Sequence, residues 1–400
     1  MKLLDDIRII DFTHGYAGTY ATMLLADHGA EVIKVEKPGA GDEARQYFPR
    51  KDDGSAYHAH INRGKKSICV NLEDPIGQKI IKRLIETADV VFESFPAGYL
   101  ESINLDYETM KKTNPQIIYA SLTGFGKSGE LSNSAGCDLT SQALSGLMGI
   151  TGFPDSKPTA HGTRIGNEFG SIYAAYGVIL GVIARNKTGK GQKIDVSETD
   201  CLFTALESGE IYAAIHGTDF AREGNNSHSI APYDTFRTKD GYYSTGVSTE
   251  EQWKNFCNAM DLAELLEDEK FSSNELRGKN YISDLRDILR SRFAEITKYE
   301  ADELLSPLNI PAGPLFTVSE ALENEQLKCR DMIVEIDDKM VGKTLMPANP
   351  IKMSLNEQTY ERAPLLGEHT DSYVKEIGFS QDDIRKLEAE GVLISKSEEE

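Results

Sequence analysis

The sequence predicts an α/β protein, with a Rossmann-like parallel sheet in a large domain and a smaller α+β domain set within the same chain. Three observations lead to this expectation. Short β-like apolar runs alternate with helical apolar spacing through the first half, helix start and stop signals fall between them, and the pattern loosens near Gly224-Asn225-Asn226. Strand, helix and strand in repetition call for parallel strands joined by right-handed crossovers.

In chain order, Ile7 to Phe12 is a largely apolar run, Thr19 to Asp27 carries helical spacing, and Glu31 to Val35 is a second strand. Asp74-Pro75 supplies an N-cap and a first-position proline for a helix through Glu86, which leads into a strand at Val90 to Glu93. Phe169 to Ala184 is almost continuously apolar or small and lacks proline, so it predicts a buried helix, stopped by the glycine-rich Thr188-Gly189-Lys190-Gly191-Gln192. A strand at Lys193 to Ser197 and a helix around Thr199 to His216 follow. Asp234-Thr235-Phe236 and Tyr242-Tyr243-Ser244 then flank a Lys-Asp-Gly turn in hairpin fashion. The predicted domains are 1–200 for the first part of the large domain, 201–225 for a linker helix region, 226–325 for the small α+β domain, and 326–400 for the return. Ser395 to Glu400 reads as a polar, acidic tail.

With 400 residues, 40% hydrophobic and 27% charged, the chain has material for a large core and two or three domains. The amino terminus lacks the pattern of a secretory signal, and no segment offers the roughly 18 to 20 continuous apolar residues of a membrane helix. Cys69, Cys137, Cys201, Cys257 and Cys329 are odd in number and without metal spacing, so reduced thiols, a cytoplasmic location and no metal site are expected. A formal net charge of -21 argues against nucleic acid. Arg63, Lys65 and Lys66 are the basic exception, readable as a solvated turn or as an anion contact.

Glu36 closes the second strand where a ribose-binding acid would stand in a dinucleotide fold. Thr13-His14-Gly15-Tyr16-Ala17-Gly18 lacks the glycine fingerprint, which opposes a nicotinamide dehydrogenase. Ligands are still expected at the carboxyl ends of the strands.

An ordered set of motifs spans the chain: Ile10-Asp11-Phe12-Thr13-His14, Ala30 to Glu36, Asn62 to Ser67, Ala88 to Phe95, Ser121 to Gly126, Arg164 to Gly170, Ile310 to Pro314 and Arg362 to Thr370. The set resembles the family III CoA-transferases, the family of formyl-CoA:oxalate and carnitine CoA-transferases. The resemblance implies an interlocked homodimer, acyl-CoA and a small carboxylic acid as substrates, and no permanently bound cofactor. In that family an aspartate attacks the acyl-CoA thioester, giving a mixed anhydride and CoA thiolate, so one difficult step becomes two easier ones. A glycine before the nucleophile gives the substrate room, and a helix amino terminus offers N–H donors to developing oxyanions.

Here the nucleophile's position holds Asn167, whose amide nitrogen has its lone pair delocalised into the carbonyl. Taken alone, Asn167 reads as a helix N-cap and Glu168 as a first-turn acid favoured by the helix dipole. Within the family, three readings stand: a silenced transferase with Asp exchanged for Asn, a member using Glu168 as a displaced nucleophile, and a non-catalytic CoA-ester-binding subunit. The resemblance also implies that Tyr16 and Ala17 contact CoA, that Lys37 lies near its phosphorylated ribose, and that Val70, Asn71, Leu72, Ser94, Phe95 and Pro96 line the CoA groove.

Asp138 falls where the family carries an acid near the reacting centre, with Gln142 one turn further on, although Asp138 alone reads as an N-cap. The related α-methylacyl-CoA racemases place a histidine before this acid; Cys137 stands there and is a poor general base, which disfavours racemase chemistry. His14 and His161 are further acid-base candidates near glycine-containing loops. Arg164 is the single arginine in these loops, and the donor and acceptor acids are left open.

Overall fold

The computed structural model describes residues 2–395 apart from 53, 228 and 357; from residue 396 the expected tail lies outside the described residues. The chain forms two compact units. The first comprises residues 1–147, 160–207 and 329–400, and the second residues 148–159 and 208–328.

The first unit is organised by a seven-stranded sheet. In chain order its strands are β1 (Arg8–Asp11), β2 (Glu31–Glu36), β3 (Lys66–Val70), β4 (Val90–Glu93), β5 (Ile118–Thr123) and β6 (Lys193–Ser197), with Leu393–Ile394 completing it at one edge. Their spatial order is β3-β2-β1-β4-β5-β6, all parallel, and Leu393–Ile394 pairs antiparallel beside β3. This is the doubly wound order whose strand sequence reverses between β1 and β4.

Apolar residues cover both faces of the sheet, so the strands read as near-continuous hydrophobic runs. Ile10, Ile33 and Val91 pack on one face with Ile80, Ile81 and Leu84 of α2 (Pro75–Glu86), while Ile9, Val32 and Val90 pack on the other with Ala21 and Leu25 of α1 (Ala17–Asp27). Asp74 caps α2 by accepting from the Ile76 N–H at 2.7 Å.

Two short helices, α3 (Asp138–Leu144) and α5 (Glu198–Phe203), flank the long α4 (Ile165–Thr188). Gly189 ends α4 in the left-handed conformation at φ 69°. The expectation of a buried helix over Phe169 to Ala184 is corrected. Ala174, Val178 and Val182 are buried against the sheet, but Ile172, Tyr173, Tyr176, Leu180 and Ile183 face outward, with Tyr176 57% exposed. The membrane expectation also changes, because these 24 residues are long and apolar enough to cross a bilayer by length and composition, although one face packs on the sheet.

The second unit holds a three-stranded antiparallel sheet of Tyr233–Arg237, Tyr242–Gly246 and Ala312–Pro314. The hairpin forms with Phe236 opposite Tyr243, and Phe236 stacks on Phe293 at 4.6 Å within an aromatic core that includes Trp253 and Phe256.

Candidate active site

Between β1 and β4 the chain departs in opposite directions, which opens a crevice beyond their carboxyl ends. The loop after β1 carries His14 and Tyr16, and the loop after β4 carries Ser94, Phe95 and Pro96. The His14 and Phe95 rings meet there at 5.8 Å.

Buried charges fix the first loop. Lys34 Nζ donates to the Thr13 carbonyl at 2.6 Å and pairs with Asp42 at 2.7 Å. Asp42 in turn accepts from the Gly15 N–H at 3.0 Å. Beneath the loop, Lys65 Nζ donates to Asp11 at 3.0 Å, Thr22 Oγ1 at 2.7 Å and the Thr19 carbonyl at 2.9 Å. Burial favours the neutral amine and draws Lys65 down to about 8, against the opposing pull of Asp11. Burial alone would raise the Asp42 carboxyl, but Lys34, His14 and the Gly15 N–H outweigh it and hold it below its ordinary value.

Both readings of the basic cluster are therefore corrected for two of its members. Lys65 is fully buried, and Arg63 is 1% exposed with a fork–fork pair to Asp27 at 2.9 and 2.7 Å. Their charges are used up inside the fold, which leaves only Lys66 near solvent, 3.5 Å from Glu361.

A cavity of about 510 Å³ occupies the crevice and is lined by His14, Lys37, Val70, Asn71, Leu72 and Phe95 among others. Ser94 and Pro96 adjoin it in sequence but do not line it. Sequence reasoning missed Glu73 and Tyr99, which line the same cavity and share a hydrogen bond at 3.0 Å. Burial lowers the proton affinity of His14.

Tyr16 and Ala17 turn elsewhere. Tyr16 stacks on Tyr20 at 5.2 Å and meets Tyr57 at 5.7 Å, and Tyr57 meets Tyr47 at 5.7 Å. The Ala17 carbonyl accepts from Ser171 Oγ, which ties α1 to α4 one turn beyond Asn167. No local spacing marks Tyr20, Tyr47 and Tyr57, because three separate segments deliver them.

Helix α4 begins four residues before Phe169. Its N-cap residue is Arg164, which makes no capping bond through its side chain, so Asn167 lies in the first turn and not at the cap. Asp138 supplies the missing acceptor from another helix, taking the Gly166 N–H at 2.7 Å and the Asn167 N–H at 3.4 Å. Asp138 is correspondingly the first helical residue of α3 and not its cap, which is Cys137. Gln142 Nε2 donates to the other Asp138 oxygen at 2.7 Å, and Gln142 Oε1 accepts from the His161 N–H at 2.8 Å. Gln142 stands one turn beyond Asp138 on the same face, and it joins that carboxylate to the His161 backbone.

Gly166 has a packing role as well. A Cβ there would lie 3.0 Å from Asp138 Oδ1 and 3.2 Å from Leu202 Cδ1, so the glycine admits α3 and α5. Asn167 Oδ1 is buried and, among the described residues, has no hydrogen-bond partner. Glu168 is half-buried, and burial raises its carboxyl.

Glu198, at the start of α5, was not singled out from the sequence. It is 5% exposed, accepts from Ser141 Oγ at 3.1 Å, and is pushed up to about 7 by burial. Asp138, which accepts the backbone N–H groups of the turn, and Glu198, with its raised proton affinity, thus bracket Gly166.

The chain is similar to known proteins over nearly its full length. The chain is 37% identical to the succinyl-CoA:glutarate CoA-transferase of Mus musculus over 396 residues, covering 98% of this chain and 91% of that protein. It is 35% identical to the acetyl-CoA:oxalate CoA-transferase of Acetobacter aceti, covering 93% and 95%. A solved CAIB/BAIF family protein from Brucella suis superposes with a TM-score of 0.85 at 33% identity, covering 94% of this chain and 99% of that one. Residues 4–370 match CoA-transferase family III, and with relatives so similar along their whole length, the chain belongs to that family.

Proposed function

We propose that the site moves CoA from an acyl-CoA donor to a free carboxylic acid, with position 167 as the point that carries the acyl group. The observation behind this reading is the orphaned, buried Asn167 Oδ1 on a helix turn whose N–H groups are anchored by Asp138. With a carboxylate at 167, its oxygen would attack the thioester carbon, the C–S bond would break and CoA thiolate would depart, leaving a mixed anhydride. The acceptor carboxylate then attacks the residue-167 carbonyl of that anhydride and displaces the donor acid as its free carboxylate. The returning thiolate attacks the acceptor's acyl carbon, breaking the second anhydride to release the new thioester and restore the carboxylate at 167. Asn167 lacks the nucleophilic oxygen anion, so the chain as written holds CoA esters without turning them over.

Lys37 and the residues at Val70 to Leu72 and Ser94 to Pro96 are proposed to hold CoA, and Tyr16 and Ala17 to border the acyl end. Glu168 is the second reading, favoured by its half-buried position beside Asn167 and its raised carboxyl. A homodimer is proposed from the apolar outer face of α4, and a cytoplasmic location from the five free cysteines.

The test is CoA exchange between a panel of acyl-CoA donors and free acids, run on the chain and on Asn167→Asp, with intact mass after hydroxylamine trapping. The relatives named above pair succinyl-CoA with glutarate and acetyl-CoA with oxalate, so short di-acids lead the panel. Transfer and trapping at residue 167 in Asn167→Asp alone support the silenced-transferase reading. Trapping at Glu168 in the chain as written replaces it with the displaced nucleophile, and no reaction in either form favours a binding subunit.

A further inference from the structure

Arg164 is set apart from the other arginines around this site. Arg45 grips Glu36, and Arg63 grips Asp27, each with its fork occupied. The Arg164 guanidinium instead lies over the rings of Tyr47 and Tyr57, at 6.0 and 5.9 Å, and among the described residues no carboxylate comes within ion-pair distance of it. An aromatic face attracts the flat face of a guanidinium and leaves its in-plane N–H edge free. That edge matches a carboxylate in bidentate geometry.

The placement fits a short substrate. Arg164 precedes Asn167 by three residues at the start of α4, an axial rise of about 4.5 Å. Tyr57 connects the guanidinium to Tyr16, and Tyr16 to Tyr20, so an aromatic wall runs between the cation and the loop after β1. A thioester carbon held at residue 167 thus lies close along the helix to the residue that carries the free guanidinium, and a short acyl chain keeps its far end near that residue. An aliphatic monocarboxylic acyl group of that length would leave the cation unmatched.

We infer that Arg164 binds the distal carboxylate of a short dicarboxylic acyl group and selects such acids over monocarboxylic ones. The inference rests on the CoA-transfer reading of the same site, and it names the substrate class which that reading leaves open.

The experiment is calorimetric titration of the whole chain with free CoA, succinyl-CoA and butyryl-CoA, the last having the same carbon count without the distal carboxylate. Arg164→Met and Arg164→Lys are titrated alongside. In the parent, succinyl-CoA is expected to bind at least about tenfold more tightly than butyryl-CoA. The ratio should fall toward unity in Arg164→Met and recover in part in Arg164→Lys, where a point charge remains. The ratio is read within each variant, so a general loss of folding lowers both affinities and does not imitate the result. Equal affinities in the parent, or an unchanged ratio in Arg164→Met, overturn the assignment of Arg164 while the CoA reading stands. Absence of binding by all three ligands in the parent overturns both.

Discussion

The Asp138 carboxylate caps a helix that is not its own, accepting the Gly166 N–H at 2.7 Å from 28 residues earlier in the chain. Asp138→Ala strands that N–H and the Gln142 amide together. Leaving buried polar groups unpaired costs about 1–3 kcal/mol, and urea unfolding is expected to show a loss of that size. Asp138→Asn, which keeps an acceptor oxygen, should lose less.

Gly166→Ala tests the same junction sterically. Its Cβ would press on Asp138 Oδ1 and Leu202 Cδ1, with Glu198 Oε2 at 3.6 Å. Overpacking of this kind costs about 1–3 kcal/mol. Thermal unfolding should show the drop, and combined with Asn167→Asp the alanine should reduce transfer further, because the turn carrying residue 167 is displaced.

Glu198 makes stability depend on pH. Its folded carboxyl is raised from 4.5 to about 7, chiefly by burial. The unfolded chain therefore releases this proton first, so stability falls as pH rises from the ordinary glutamate range to about 7 and levels off above it. Over that window the loss amounts to about 3 kcal/mol. Glu198→Gln has no proton to lose, so its stability relative to the parent should rise by a comparable amount between acidic and mildly alkaline pH. Urea midpoints across that range measure it, and parallel curves for the two proteins would refute the assignment.

Lys34→Met removes the cation between Asp42 and the Thr13 carbonyl and leaves a buried acid uncompensated. Breaking a buried pair from one side costs about 3–5 kcal/mol. Because Asp42 also holds the Gly15 N–H, free CoA should bind less tightly to whatever fraction folds; denaturation and calorimetry together separate the two effects.

The parallel sheet was legible because strands covered on both faces read as unbroken apolar runs, as Ile7 to Phe12 does. Helix α2 was legible from Asp74-Pro75 alone. The start of α4 was placed too late because Gly166 and Asn167 carry loop chemistry and the compensating acceptor lies in another helix. Lys65 read as part of a solvated turn or an anion contact, since lysine is almost never fully buried unless paired and nothing local announces the partner. At the site, the segments that follow β1 and β4 could be located from strand ends. The tyrosines around Arg164 and the buried Glu198 could not, because each depends on which segments the fold brings together.

The buried pairs Lys34–Asp42, Lys65–Asp11 and Arg63–Asp27 have an effect beyond folding. Each cancels itself in the interior, and together they take three cations and three anions out of the balance alike, so the formal net charge of -21 stays with the rest of the chain. A polyphosphorylated ligand that binds at Lys37, as proposed above, thus meets a repulsive field on its approach. Salt screens such fields over about 8–10 Å at moderate ionic strength. Added salt should therefore speed the arrival of CoA, whereas a basic nucleotide-binding surface would be slowed by it.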